Sequence, residues 1–199
     1  MRAFQRLRML FVVGLWFFMP VSASAGEPTA QLSKTITEFM TILTKTSVAE
    51  LQTTGLPESA RKLVHARFDF SEMTKRALGS HWTALQPGEQ KEFVEAFTQR
   101  LLTLFGRTVR STGNDKIQFN REVQDGQTAI VETKVISDNV DETPIDFRLH
   151  NVSGQWKVHD VVIEDVSLVS NYRAQFERVI AKFSVKELLK KIKEPNQDS

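Results

Sequence analysis

The hydrophobic period of this chain changes once, near Gly113-Asn114-Asp115, and the change restricts the folds open to it. Before that point Phe93, Phe97, Leu101, Phe105 and Val109 recur every four residues, the apolar stripe of a helix entered through Pro87-Gly88-Glu89. After it Ile117, Phe119, Arg121 and Val123 alternate with polar neighbours, as do Ala129, Val131, Thr133 and Val135. That is the period of a half-buried strand. Asp125-Gly126 and Ser153-Gly154 are turn signals, and Ile145, Phe147 and Leu149, then Trp156, Val158 and Val161 to Ile163, supply two more strands. Upstream, the spacing predicts a helix over residues 30–51, a short one over 58–65, and another capped by Asp69 or Ser71 that stops at Gly79. A last helix is expected from about Asn171 to Lys193, followed by a frayed tail. Helices, then a meander, then a helix read as an α+β domain: a four-stranded antiparallel sheet wrapped by N-terminal helices and one long C-terminal helix. Such a shell is concave. Periodicity leaves open whether side chains or a ligand fill it.

The first 25 residues read as a cleavable signal peptide. Arg2, Arg6 and Arg8 precede the uncharged apolar run Met9 to Met19, Pro20 breaks it, and Ala23-Ser24-Ala25 offers small residues for cleavage. The run is short for a bilayer span, which takes about 20 residues. The expected mature domain is residues 26–199, exported and working in the periplasm. Removing the three arginines leaves 23 basic against 24 acidic residues, so the whole-chain net charge of +2 is no argument for nucleic acid. The chain has no Cys, which rules out disulfides, thiol catalysis and cysteine zinc sites.

Catalytic patterns are missing as well. His65, His81, His150 and His159 form no H-E-x-x-H motif, although the last two fall on adjacent strands. Their simplest reading is solvent-facing strand positions, and no metal or other cofactor is expected. Ser167 and Ser170 lack a nucleophile elbow, and no Walker or dinucleotide glycine pattern occurs. Asp160, Glu164 and Asp165 gather near the end of the sheet, where capping and turn roles account for them. What the chain has in quantity is apolar bulk, including 14 Phe. The C-terminal lysines 182, 186, 190, 191 and 193 read as a solvated helix face, or as one that meets anionic lipid or a partner.

Three blocks carry a resemblance to a known family. The first is Phe68-Asp69-Phe70 with Met73, Ala77-Leu78-Gly79 and Trp82; the second is Phe93, Phe97 and Leu101 entered through Pro87. The third runs from Trp156-Lys157-Val158 through Asp160-Val161 and Val166-Ser167-Leu168-Val169 to Asn171-Tyr172-Arg173, Gln175 and Phe176. In order and spacing they resemble the MlaC-type periplasmic phospholipid-binding proteins, also called the toluene-tolerance or ABC-transporter auxiliary family. Asp165 stands where that family often has Gly, and Phe183-Ser184 where it often has a Gly.

The resemblance implies a carrier rather than an enzyme. It would hold a glycerophospholipid by its acyl chains in an apolar cavity. It would shuttle that lipid between an outer-membrane lipoprotein/porin complex and an inner-membrane ABC transporter with its substrate-binding ring protein. The alternative is a binding protein for another apolar ligand, such as a hopanoid or an aromatic solvent. The expected lining is Phe39, Phe70, Met73, Leu78, Trp82, Phe93, Phe97 and Leu101 from the helices. The sheet would add Ile117, Phe119, Val131, Val135, Phe147, Leu149, Trp156 and Val158. Arg148 and Arg173 are the candidates for the lipid phosphate.

Overall fold

The computed structural model describes residues 26–53, 55–111, 116–137 and 142–194. The signal segment and its cleavage point lie outside the described residues, as do residues 113–115 where the period changes. The helices are α1 (Glu27–Thr44), α2 (Val48–Thr53), α3 (Glu58–Arg67), α4 (Phe70–Leu78) and α5 (Pro87–Ser111), with a 3-10 helix at Gly79–Ala84 between the last two. The strands β1 (Lys116–Asp125), β2 (Thr128–Ile136), β3 (Glu142–Val152), β4 (Gln155–Ile163) and β5 (Val166–Ser167) follow, then α6 (Leu168–Lys182) and α7 (Val185–Lys193). The architecture is the expected α+β arrangement. The strands lie in sequence order in one antiparallel sheet.

Three details differ from the periodicity. A fifth strand, only two residues long, adds to the β4 edge through Val162–Ser167 and Ile163–Val166. The expected helix over residues 30–51 is two helices, and the single C-terminal helix is broken at Phe183-Ser184. Both breaks have the same cause. The hydroxyl of Ser47 accepts from the Glu50 N–H at 3.2 Å, and that of Ser184 accepts from the Glu187 N–H at 3.1 Å. Each serine caps a new N-terminus whose backbone donors would otherwise be unpaired.

Two bulges set which residues face the helices. The β1–β2 register shifts between Phe119 and Arg121, so Glu122 comes opposite Val131 and Val123 turns outward, 43% exposed. Continued alternation would have put Arg121 and Val123 on the face of Phe119. Glu122 instead reaches the start of α1, where its carboxylate accepts from the Thr29 N–H at 2.8 Å. The β3–β4 register shifts between Arg148 and Leu149, which sets His159 aside. Asp160 then pairs with Arg148, and Val161 falls opposite Phe147 on the apolar face. Without that bulge a carboxylate would sit among aliphatic side chains, at a desolvation cost of several kcal/mol.

The core has three parts. In the helical part Phe70, Met73, Leu78, Phe93, Phe97 and Leu101 of α4 and α5 pack with Val169 and Phe176 of α6 and Leu188 and Ile192 of α7. In the sheet part Leu32 of α1 packs on Ala129, Val131, Leu149, Trp156, Val158 and Val161. Leu43, Leu51 and Leu56 form a third, small cluster. Arg67 at the end of α3 braces the first two, donating to the Trp156 carbonyl, to Gln31 at 2.9 Å and to Thr35 at 3.0 Å. Beside it the chain pairs with the free edge of β4, where the Asp69 N–H donates to the Val158 carbonyl at 2.8 Å.

Candidate functional site: an apolar seam between helices and sheet

The sixteen residues expected to form a lining fall into three groups. Met73, Leu78, Phe93, Phe97, Leu101, Val131, Leu149, Trp156 and Val158 are 0–2% exposed, and Phe70 is 6% exposed. These ten fill the helical and sheet cores. Trp82 is half-buried against the helical core, on the 3-10 helix, and its carbonyl accepts from Gln90 at 3.0 Å. Of the remaining five, Phe39 is half-buried against the helical core and the small third cluster, Phe119 and Phe147 are half-buried against the sheet core, and Ile117 and Val135 are half-buried opposite one another on β1 and β2.

Four further residues share that seam and were not in the expected lining: Ile36, Phe68, Phe105 and Ile145. Phe68 packs on both the helical and the sheet core, and its ring centroid lies 5.5 Å from Phe105 and 5.9 Å from Phe70. It belongs to neither a helix nor a strand, so periodicity gave it no face. Its signals were its place directly before the cap Asp69 and at the head of the first block of the family resemblance. A pocket of about 340 Å³ opens beside it, lined by His65, Phe68, Asp69, Phe70, Val152 and Lys157. That volume is at the small end of the roughly 300–1,000 Å³ usual for ligand sites.

The two candidate arginines do not lie on the seam's wall. Arg148 alternates with Phe147 and Leu149, so its side chain leaves the opposite face of β3, where it donates to Asp160 at 3.2 Å. Arg173 on α6 lays its guanidinium against Gly79, about 3.1 Å from where a Cβ would stand. Gly79 closes the far end of α4 at φ 55°, so glycine here both permits the backbone and leaves room for the arginine.

A family profile, MlaC protein, matches residues 33–194. The chain belongs to the MlaC family. A toluene tolerance protein, ttg2D of Pseudomonas putida, is 29% identical over 91 residues. That match covers 45% of this chain and 42% of the relative, so it spans less than half of that protein. A solved structure of a phospholipid-binding protein from Ralstonia solanacearum, in complex with a phospholipid, has a TM-score of 0.72 to this chain. The match covers 84% of this chain and 95% of the other at 20% identity, and it establishes a shared fold.

The polar groups of this MlaC-family chain that looked most like chemistry do structural work. Asp160 is 4% exposed and accepts from the Ser167 hydroxyl at 2.7 Å, the Val169 N–H at 3.1 Å and Arg148. It fastens the start of α6 to β4, the capping role expected of it. Ser167 is the cap of α6, accepting from the Ser170 N–H at 3.0 Å. Glu164 and Asp165 make the β4–β5 turn at φ 47° and 65°. Asp69 caps α4 through the Glu72 N–H at 2.9 Å and holds His150 at 3.0 Å with its other oxygen. His159 was expected at the surface but is 7% exposed, because its bulge turns it under the helices. Its ring lies 5.3 Å from that of His150. Burial, helped by the charge of Arg76, pushes its pKa down to about 4. Among the described residues no group of three or more His, Asp or Glu is arranged to hold a metal ion, and no helix is long and apolar enough to cross a membrane.

Proposed function

We propose that this chain is a periplasmic phospholipid carrier that takes the acyl chains of its cargo into the seam between the helices and the sheet. The observation that carries the reading is the half-buried state of five phenylalanines: Phe39, Phe68 and Phe105, each packed against two of the cores, and Phe119 and Phe147, packed against the sheet core. Elsewhere the chain buries comparable rings almost completely, as at Phe93 and Phe97. A Phe side chain carries roughly 150 Å² or more of mostly apolar surface. Several of them left half-covered beside one another form a surface that an apolar ligand would cover and water would not. Membership of the MlaC family, and the phospholipid bound by the Ralstonia solanacearum protein of the same fold, support a lipid as the cargo.

The energetics suit a shuttle. Two acyl chains bring roughly 30 methylenes, worth about 0.8 kcal/mol each, so leaving a bilayer unaided costs on the order of 20 kcal/mol. A carrier must replace most of that and not exceed it, or the cargo would stay. The cargo's donors and acceptors would be an outer-membrane lipoprotein/porin complex and an inner-membrane ABC transporter with its ring protein. Neither Arg148 nor Arg173 enters the proposed wall, since one is paired on the opposite face and the other seated at the far end of α4. The role is binding and release, with no bond made or broken.

Native mass spectrometry of the protein purified from the periplasm without detergent tests this directly. The expected result is a bound mass equal to a diacyl phospholipid, which denaturation releases. A bound hopanoid or aromatic compound would overturn the cargo. An empty protein that takes up no lipid from added vesicles would overturn the carrier reading itself.

A further inference from the structure

The corner between α6 and α7 carries an aromatic ring that neither the core nor the seam uses. Phe183 is 56% exposed at the break between the two helices. The ammonium groups of Lys182 and Lys191 lie 5.4 Å and 5.6 Å from its ring centroid. Around it the charge is one-sided. Residues 182–193 hold five Lys and one Glu, a net of +4, while the rest of residues 26–199 holds 18 basic against 23 acidic residues, a net of −5. α7 turns Leu188 and Ile192 into the core, which directs Lys186, Lys190, Lys191 and Lys193 outward. Two of these have carboxylate neighbours: Lys193 pairs with Glu92 of α5, and Lys190 lies 3.9 Å from Glu187. Among the described residues Lys182, Lys186 and Lys191 have no ion-pair partner.

We infer that this corner is a docking surface for an anionic phospholipid bilayer, separate from the cargo seam. Charge complementarity selects the occupant. Lysines with no carboxylate partner meet an anionic headgroup layer without breaking an ion pair, and each contributes about a fivefold gain in partition near such a surface. The exposed ring adds what lysines lack. An aromatic side chain enters the interfacial zone while the cations on either side of it stay at the headgroups. The pairing of Phe183 with two lysines fits an interface that is both apolar and charged. An acidic protein face would use the lysines and leave the ring exposed. The attraction is weak and salt-sensitive, which suits a protein that must leave the membrane again.

The test is co-sedimentation of the mature protein, already loaded with its cargo, with vesicles of phosphatidylcholine alone or with half phosphatidylglycerol. Native mass spectrometry on the same samples reads cargo occupancy. The expected result is binding to the anionic vesicles only, abolished by raising salt from 0.05 to 0.5 M. The triple variant Lys182→Gln, Lys186→Gln, Lys191→Gln should partition on the order of a hundredfold less. Phe183→Ser should partition severalfold less at unchanged charge. Both variants should keep full cargo occupancy, which separates this surface from the seam. The inference is overturned if the wild-type protein ignores anionic vesicles, if the triple variant binds them as well as wild type, or if binding persists at high salt. Binding that depends on the lysines but not on Phe183 overturns the part given to the ring and with it an interface that is both apolar and charged.

Discussion

Phe97 on α5 and Phe147 on β3 both belong to apolar stripes of the correct period, yet the structure treats them differently. Phe97 is fully enclosed, its ring edge-on to Tyr172 at 4.9 Å and to Phe176 at 5.3 Å. Phe147 packs against the sheet core on one side and remains half-buried. The helical lobe is closed because α4, α5, α6 and α7 each present an apolar face to the others. The sheet core is covered by Leu32 and Ile36 of α1 and by Phe68. A helical stripe or a strand alternation specifies which way a side chain points. It does not specify whether anything stands opposite.

The largest effects should separate those two regions. Phe97→Ala opens a cavity in a packed core and should cost about 3–5 kcal/mol of unfolding free energy. Phe147→Ala should cost about 1 kcal/mol and instead lower phospholipid occupancy, because its ring is only partly enclosed. Urea denaturation with native mass spectrometry on both variants reads the two quantities. Equal destabilisation by both changes would mean that the seam is ordinary core.

This contrast also marks how far the sequence was legible. The cap and stop of α4, the start of α5 and the two hairpins followed from Asp69, Gly79, Pro87 and the Gly-containing turns, since each is a local backbone requirement. The two helix breaks were equally local: Ser47-Val48-Ala49-Glu50 and Ser184-Val185-Lys186-Glu187 both carry the spacing of a capping box. Apolar periodicity running across them outweighed that signal. The bulges at Asn120 and His159 were not legible, because an inserted residue is defined by the partner strand and not by its own neighbours. The half-buried seam was least legible of all. Ten of sixteen expected lining residues proved fully packed, and Phe68, on no periodic element, spans two cores.

Asp160 joins the two regions, so its removal should damage both. Asp160→Ala leaves the Ser167 hydroxyl, the Val169 N–H and the Arg148 guanidinium without their acceptor. It should cost about 2–3 kcal/mol and loosen α6 from β4. Hydrogen exchange would show the loss first at Val169 and its neighbours. Unchanged protection there would mean that Val169 and Phe176, packed in the helical core, hold α6 without the carboxylate.

A smaller effect comes from His159, enclosed at the same junction. Its folded pKa, about 4, is below the ordinary value of 6.5, so the unfolded chain takes up the proton more readily. Its contribution to stability is therefore full above pH 6.5 and is lost as the pH falls toward 4. At 1.36 kcal/mol per pH unit the loss approaches roughly 3 kcal/mol at its limit and about half of that at pH 5. Burial is the main cause. Arg76 and His150 add to it, while Asp160 and Glu72 oppose it. Urea midpoints at pH 7 and pH 5 should converge in His159→Leu. An undiminished acid slope in that variant would assign it to other groups.

The smallest expected change is the most informative about the seam's orientation. Arg148 is the other half of the Asp160 pair but is 45% exposed where Asp160 is 6% exposed, counted on the side chains. Half-exposed ion pairs contribute 0–1 kcal/mol, so Arg148→Ala should lower stability by less than about 1 kcal/mol, well short of Asp160→Ala. Asp160 keeps two of its three donors in that variant, and those are the two that fix α6. Arg148 also points away from the face that carries Phe147, so phospholipid occupancy should not change. A fall in occupancy with stability intact would put the lipid phosphate on the opposite face of the sheet. The acyl chains would then have to run around the β4 edge, past Phe68 and the pocket beside it, instead of along the seam.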